Sequence, residues 1–241
     1  MVFGKWRHAD AREGNTVEGK GMTGGVWMSD LKGNQQLGDD QGIQTKFYGH
    51  DWEPATSIVP PTPDEVLRNM RLYSQGYARA RDELPEAAAV WDEKRFKKAG
   101  DIFSVGFFVV RGKLAHVFSR YDLGEGGLIP FPVYQADLET LYPGEFFLLN
   151  FGATKNTILP EQCGNAKKFF VDKDSGLQVW KINQIKPDAD VVGTPAALTG
   201  PDLWFEEAVH NKIFMSDALA QEISAIGMAD VFRLHECRVV G

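Results

Sequence analysis

Val66, Met70, Tyr73 and Tyr77 recur at intervals of four, three and four, a spacing that lines them along one buried face of a helix. Thr62 can cap that helix, Pro63 suits its first position, and Asp64 and Glu65 complement its positive end. A second helix is predicted over residues 84–98, with Pro85 near its start, basic residues near its end and Gly100 as its stop. The period then changes. "DIFSVGFFVV", residues 101–110, is rich in β-branched and aromatic residues and predicts an inner strand. Helical spacing returns through Leu114, Val117, Phe118 and Tyr121 and ends before closely set glycines. Further strands are predicted at "LIPFPVY", "GEFFLLNF", "KKFFVD", "LQVWKIN" and "VFRLHECRVV". In the last, Phe232, Leu234, Glu236 and Arg238 would face one way, and Val231, Arg233, His235 and Cys237 the other.

Residues 200–224, "GPDLWFEEAVHNKIFMSDALAQEIS", combine a turn, a strand and a helix start. Gly200 and Pro201 turn the chain, and Asp202 can hydrogen-bond the backbone that follows. "KIFMS" reads as a strand, Ser216 as a helix cap, and Leu219, Ile223 and Ile226 as a buried stripe ending at Gly227. At an offset of 105, "FVVRGKLAHVFSRYDL" overlies "IFMSDALAQEISAIGM", and both read as a strand, a tight turn and a helix that packs back. Adjacent prolines in "SIVPPTP", residues 57–63, mark a boundary. Residues 1–45 hold nine glycines and predict turns, short strands and loop. The expected fold class is α+β: a mixed, mostly antiparallel sheet with packed helices, in one lobe or two.

Composition sets outer limits. With 241 residues, 43% apolar and 24% charged, the chain can bury a sizeable core and is not of disordered type. The longest apolar runs, such as "VGFFVV", fall far short of the roughly 20 residues a membrane-spanning helix needs. The N-terminal residues carry early positive charge with no apolar stretch behind it, so no secretory signal and a cytoplasmic location are expected. The net charge of −7 is uneven: residues 1–120 carry +1 and residues 121–241 carry −8. That balance disfavours nucleic acid as a ligand and is compatible with a basic protein partner or with solubility alone.

Candidate chemistry is sparse. His8, His50, His116, His210 and His235 are scattered, and "HEC" at 235–237 puts only His235 and Cys237 on one face, so no metal site is expected. "DLGEGG", residues 122–127, follows a helix where a phosphate loop should follow a strand, and its glycines read as a helix stop and turn. Cys163 and Cys237 are expected as free thiols, with Lys167 and Lys168 placed to lower the pKa of Cys163. Glu206 and Glu207 are sequence neighbours and do not form an acid and base pair on a helix. No catalytic residue is assigned and no enzyme is expected. Trp204 serves as an apolar anchor if buried and as an interface residue if exposed, while Asp202, Glu206 and Glu207 form an expected acidic surface.

The segments "DIFSVGFFVV", "YDLGEGGLIPFPVYQAD", "GEFFLLNFGATKNTILPEQ", "VWKIN", "GPDLWFEEAVHNKIFMSDALAQEI" and "FRLHECRVV" resemble, in this order, immunity protein family 11. That family stands beside toxins in bacterial polymorphic-toxin and contact-dependent competition systems. The likeness covers residues 100–240, and its motifs are structural. It departs from the family at Arg111 and Gly112, where a polar helix start is usual. The resemblance implies a cytoplasmic antidote without a cofactor that binds one cognate toxin, often delivered by a specialised secretion system, and prevents self-intoxication. A basic toxin such as a nuclease would then meet Asp202, Trp204, Glu206 and Glu207. The alternatives are an adaptor or structural component of a secretion apparatus, and a small hydrolase gathering His116, His210, His235 or Cys163. The expected organisation is a glycine-rich segment over 1–60, a helical segment over 61–100 and an immunity-family α+β domain over 101–241.

Overall fold

The computed structural model describes residues 24–38, 41–52, 62–173, 175–182 and 190–241. Two strands, β1 (Val26–Ser29) and β2 (Ile43–Phe47), precede helix α1 (Asp64–Ser74). Helix α1 buries Val66 and Tyr73 as its stripe predicts, with Pro63 in place of Thr62 at the N-cap. It stops at Gly76, whose φ of 92° lets the amides of Gly76 and Tyr77 close back on the carbonyls of Tyr73 and Leu72 at 3.0 and 3.2 Å. Tyr77 therefore leaves the stripe and is exposed. The rest of the "SIVPPTP" boundary, residues 57–61, lies outside the described residues, as do most of the glycine-rich N-terminal residues and His8.

The helix expected over 84–98 is mostly a strand, β3 (Pro85–Val90), followed by the single turn α2 (Glu93–Phe96). β3 runs between β2 and a parallel neighbour, and Ala87, Ala88 and Ala89 are all buried there. Small side chains fit a strand covered on both faces, so burial overrides the helix propensity of an alanine run. Asp92 caps α2 by accepting from the Arg95 amide at 3.1 Å.

"DIFSVGFFVV" is a hairpin of β4 (Ile102–Ser104) and β5 (Phe108–Arg111), turned at Gly106 with φ 82°. Helix α3 (Gly112–Phe118) follows directly. Then come β6 (Gly127–Pro130), β7 (Val133–Tyr134), β8 (Phe146–Asn150) and β9 (Thr154–Lys155), and the ribbon of β10 (Ala166–Val171) and β11 (Gln178–Ile182). The chain continues through β12 (Val192–Gly193), β13 (Leu203–Glu206), β14 (Ile213–Ser216), α4 (Asp217–Ala225), α5 (Ala229–Phe232) and β15 (Leu234–Val239). The last predicted strand thus starts late: Val231 and Phe232 belong to α5, and Arg233 turns the chain with φ 50°. Within β15, His235 and Cys237 do share a strand face, and Cys237 is buried.

The fold is α+β, with sheets ordered β12-β15-β1-β14-β13-β9, β4-β5-β8-β6, β2-β3-β7 and β10-β11. Pairing is mostly antiparallel, with parallel contacts at β12–β15, β9–β13 and β3–β7. β1 sits between β15 and β14, so a strand from residues 1–60 is hydrogen-bonded on both sides to strands from residues 101–241. The echo at offset 105 appears as two like units, β4–β5–α3 and β13–β14–α4. Their helices pack together. Ser216 caps α4 by accepting from the Leu219 amide, whereas Arg111 offers α3 no side-chain cap.

The six-stranded sheet separates two apolar clusters. Leu203, Phe205, Ile213 and Met215 join the larger one, with α3, α4 and the β4-β5-β8-β6 sheet, while Val26, Met28, Trp204, Phe214 and Cys237 join the smaller. Among the described residues no helix is long and apolar enough to cross a membrane.

Candidate partner-binding surface

The predicted site segment is largely interior. β13 alternates, so Leu203 and Phe205 face the larger cluster while Trp204 faces the smaller, with Glu206 two residues on from it. Trp204 is 1% exposed and Glu206 3%, so the expectation that Glu206 forms part of an exposed acidic face is corrected. The Glu206 carboxylate accepts from Trp204 Nε1 at 2.8 Å, from the amides of Thr157 and Ile158 at 2.7 and 3.1 Å, and from the Thr157 hydroxyl. These donors explain how an anion stays buried: its oxygens are satisfied by two backbone amides, an indole and a hydroxyl. Lys155 Nζ lies 3.5 Å from the Trp204 ring centroid and donates to the carbonyls of Thr199 and Pro201 at 2.8 and 3.1 Å. Burial lowers its pKa against the opposing pull of Glu206, Asp202 and Asp122.

Asp202 is half-buried and holds a turn. Its Oδ2 accepts from the Asp122 amide at 3.0 Å, and its own amide donates to the Asp122 carbonyl at 2.7 Å. Only Glu207 of the predicted set is exposed, with Thr154 Oγ1 3.4 Å from its carboxylate. The structure therefore places Trp204 and Glu206 in the core, Asp202 in a turn and Glu207 alone on the surface.

A different surface stands out. Strand β10 exposes Phe169 at 51%, Phe170 at 42% and Val171 at 56%, three consecutive large apolar residues. The register slips between Lys168 and Phe170, a bulge that bends the strand. Consecutive residues normally point to opposite faces, yet both rings meet His210, at centroid distances of 5.0 and 6.1 Å, and each other at 5.2 Å. Lys181 Nζ lies 5.6 Å from the Phe169 centroid and Lys168 Nζ 5.8 Å from that of Trp180. Lys167, Lys168, Lys173 and Lys181 form no ion pair among the described residues. The ribbon is fixed through β11, where the Trp180 amide and carbonyl bond to Ala208 and His210 at 2.8 Å each. Among the described residues no strand pairs with the outer edge of β10.

Burial and the nearby cations Lys32, Lys181 and Lys212 lower the His210 pKa, which favours a neutral ring under the two phenylalanines at neutral pH. The other candidates lie apart. His116 lines a groove of about 540 Å³ between α3 and α4 with Lys113, Arg120 and Glu222. His235 is on β15, and Cys163 is buried with Leu159 O and the Val192 amide as its partners. Burial pushes the Cys163 thiol up, the reverse of the lowering expected from Lys167 and Lys168, which are exposed on the ribbon. Both cysteines are free. Among the described residues no three His, Cys, Asp or Glu side chains are grouped to hold a metal ion. The glycines of "DLGEGG" lie against residues 150–152, with Glu125 N donating to Gly152 O at 2.9 Å. No protein-family model and no curated protein matches the chain.

The signal for the ribbon was present in "KKFFVDK": three apolar residues run together between lysines, without the alternation of a strand covered on one face.

Proposed function

We propose that the chain is a protein-binding molecule, an immunity protein of the family-11 kind that binds a cognate toxin in the cytoplasm and prevents self-intoxication. The observation that carries the binding reading is the ribbon: contiguous aromatic and aliphatic side chains stand in solvent, flanked by cations and firmly anchored on one edge. The toxin assignment rests on the sequence resemblance over residues 100–240. Asp202 and Glu207 remain candidate contacts, one at each end of the strand that Trp204 and Glu206 hold in the core.

The test is co-expression with the product of the adjacent reading frame. Alone, that product should arrest growth; together with this chain, growth should recover and the two should copurify. Arrest that the chain does not relieve overturns the immunity reading. Copurification with secretion components in the absence of any toxin would favour an adaptor.

A further inference from the structure

Resting on the protein-binding reading, we infer that the ribbon's occupant is an acidic protein surface: carboxylates around an apolar hollow that receives Phe169, Phe170 and Val171. Residues 166–182 carry four lysines against two aspartates within a chain of net charge −7, so the exposed apolar triplet sits in a locally basic island. A basic partner would be drawn to the acidic remainder and repelled by Lys167, Lys168, Lys173 and Lys181, which form no ion pair among the described residues. An acidic partner supplies anions to these lysines while its apolar centre covers the two rings and Val171.

Nucleic acid also combines phosphates with ring-stacking faces. It is the poorer fit, because two aspartates interrupt the lysines, an aliphatic residue completes the triplet, and the long-range field is negative. The bulge favours a preformed side-chain docking face: it turns both rings toward His210 and disrupts the ladder that a further strand would need.

His210 touches both rings, and burial, ahead of Lys32, Lys181 and Lys212, depresses its proton affinity, so its titration responds to whatever covers the rings.

The experiment measures binding of the adjacent frame's product to wild type, to Phe169→Ser/Phe170→Ser and to Lys167→Glu/Lys168→Glu/Lys181→Glu. Circular dichroism confirms that each variant folds. The aromatic variant should lose at least about 50-fold in affinity. The lysine reversal should lose about 10-fold or more and flatten the salt dependence of association. If both ribbon variants bind as wild type, or the lysine reversal binds more tightly, the inference is overturned while the function reading stands.

If wild type binds nothing, the immunity reading fails, and random peptides displayed against the chain, then counter-selected on the aromatic variant, decide the ribbon by themselves. An acidic and apolar consensus supports the inference; a basic consensus or none overturns it. A wild-type dimer undone by Phe169→Ser/Phe170→Ser overturns it in favour of a second copy. Binding of single-stranded oligonucleotides or anionic vesicles that requires the same two rings overturns it in favour of those ligands.

Discussion

Glu206 shows how one residue's position decides its role. On a strand, residues two apart share a face, so once Trp204 is buried Glu206 is buried with it. That relation was legible in "LWFEE", but the paired glutamates suggest a solvated edge until the strand is located. Glu206→Ala would strand Trp204 Nε1 and the amides of Thr157 and Ile158 without an acceptor, at a cost of about 3 kcal/mol in urea denaturation. Glu207→Ala, one residue on and exposed, should stay within about 0.5 kcal/mol of wild type. Equal losses would refute the buried-acceptor account.

Lys32 carries a second prediction. It donates to the Ser74 carbonyl at 2.9 Å and to Asn211 Oδ1 at 3.1 Å, 5.3 Å from the Phe205 ring centroid, and burial pushes its ammonium down to about 8. Below pH 8 native and unfolded chains both hold the proton, and the native state bears the full cost of a desolvated charge. Between about pH 8 and 10.5 the native lysine releases its proton while the unfolded one keeps it, so this group makes stability rise with pH. The stability difference between wild type and Lys32→Met should therefore shift in favour of wild type by about 2 kcal/mol across that window, after allowance for partial exposure. Tyr73, whose phenol is pushed up by burial, acts oppositely at higher pH but equally in both chains. A flat difference would mean that Lys32 is well solvated.

At the scale of elements, amphipathic stripes with turn residues at their ends were readable, as α1 and α4 show. The failures have local causes. "PEAAAV" has a helical composition, yet its small side chains suit a strand enclosed by two others. "DIFSVGFFVV" is apolar nearly throughout, and only Gly106, at φ 82°, shows where it folds into two strands. The paired glycines after α3 were legible as a turn, but not the segment that crosses them. A Cβ on Gly152 would lie 1.8 Å from Gly126 N, and one on Gly126 2.0 Å from Asn150 O. Backbone cannot yield as a flexible side chain can, so Gly152→Ala should cost more than about 4 kcal/mol or abolish soluble expression. Gly164→Ala, with nothing within 4 Å of the added carbon, should leave the melting temperature nearly unchanged. The ribbon was predicted as strands, but its exposure was not, because burial depends on which elements cover a strand.

Over the whole molecule, the divisions drawn at residues 60 and 100 meet a sheet that crosses them. β1 contributes Val26 and Met28 to the smaller cluster with no exposed surface, and its register runs from Ser216 to Ile213 on one side and from Cys237 to Leu234 on the other. Removing it would leave β14 and β15 with facing edges unpaired and Phe214 and Cys237 without their neighbours. β1 should therefore open only with the strands beside it. Hydrogen exchange followed by mass spectrometry tests this: peptides spanning 24–30, 213–216 and 234–239 should share one opening free energy, close to that of global unfolding. The β10–β11 ribbon, paired on one edge and exposed along β10 from Lys167 to Val171, should exchange earlier and become protected when a partner covers it. Early exchange confined to 24–30 would show that the N-terminal strand docks on a sheet already complete, and would restore the boundary that the prolines suggest.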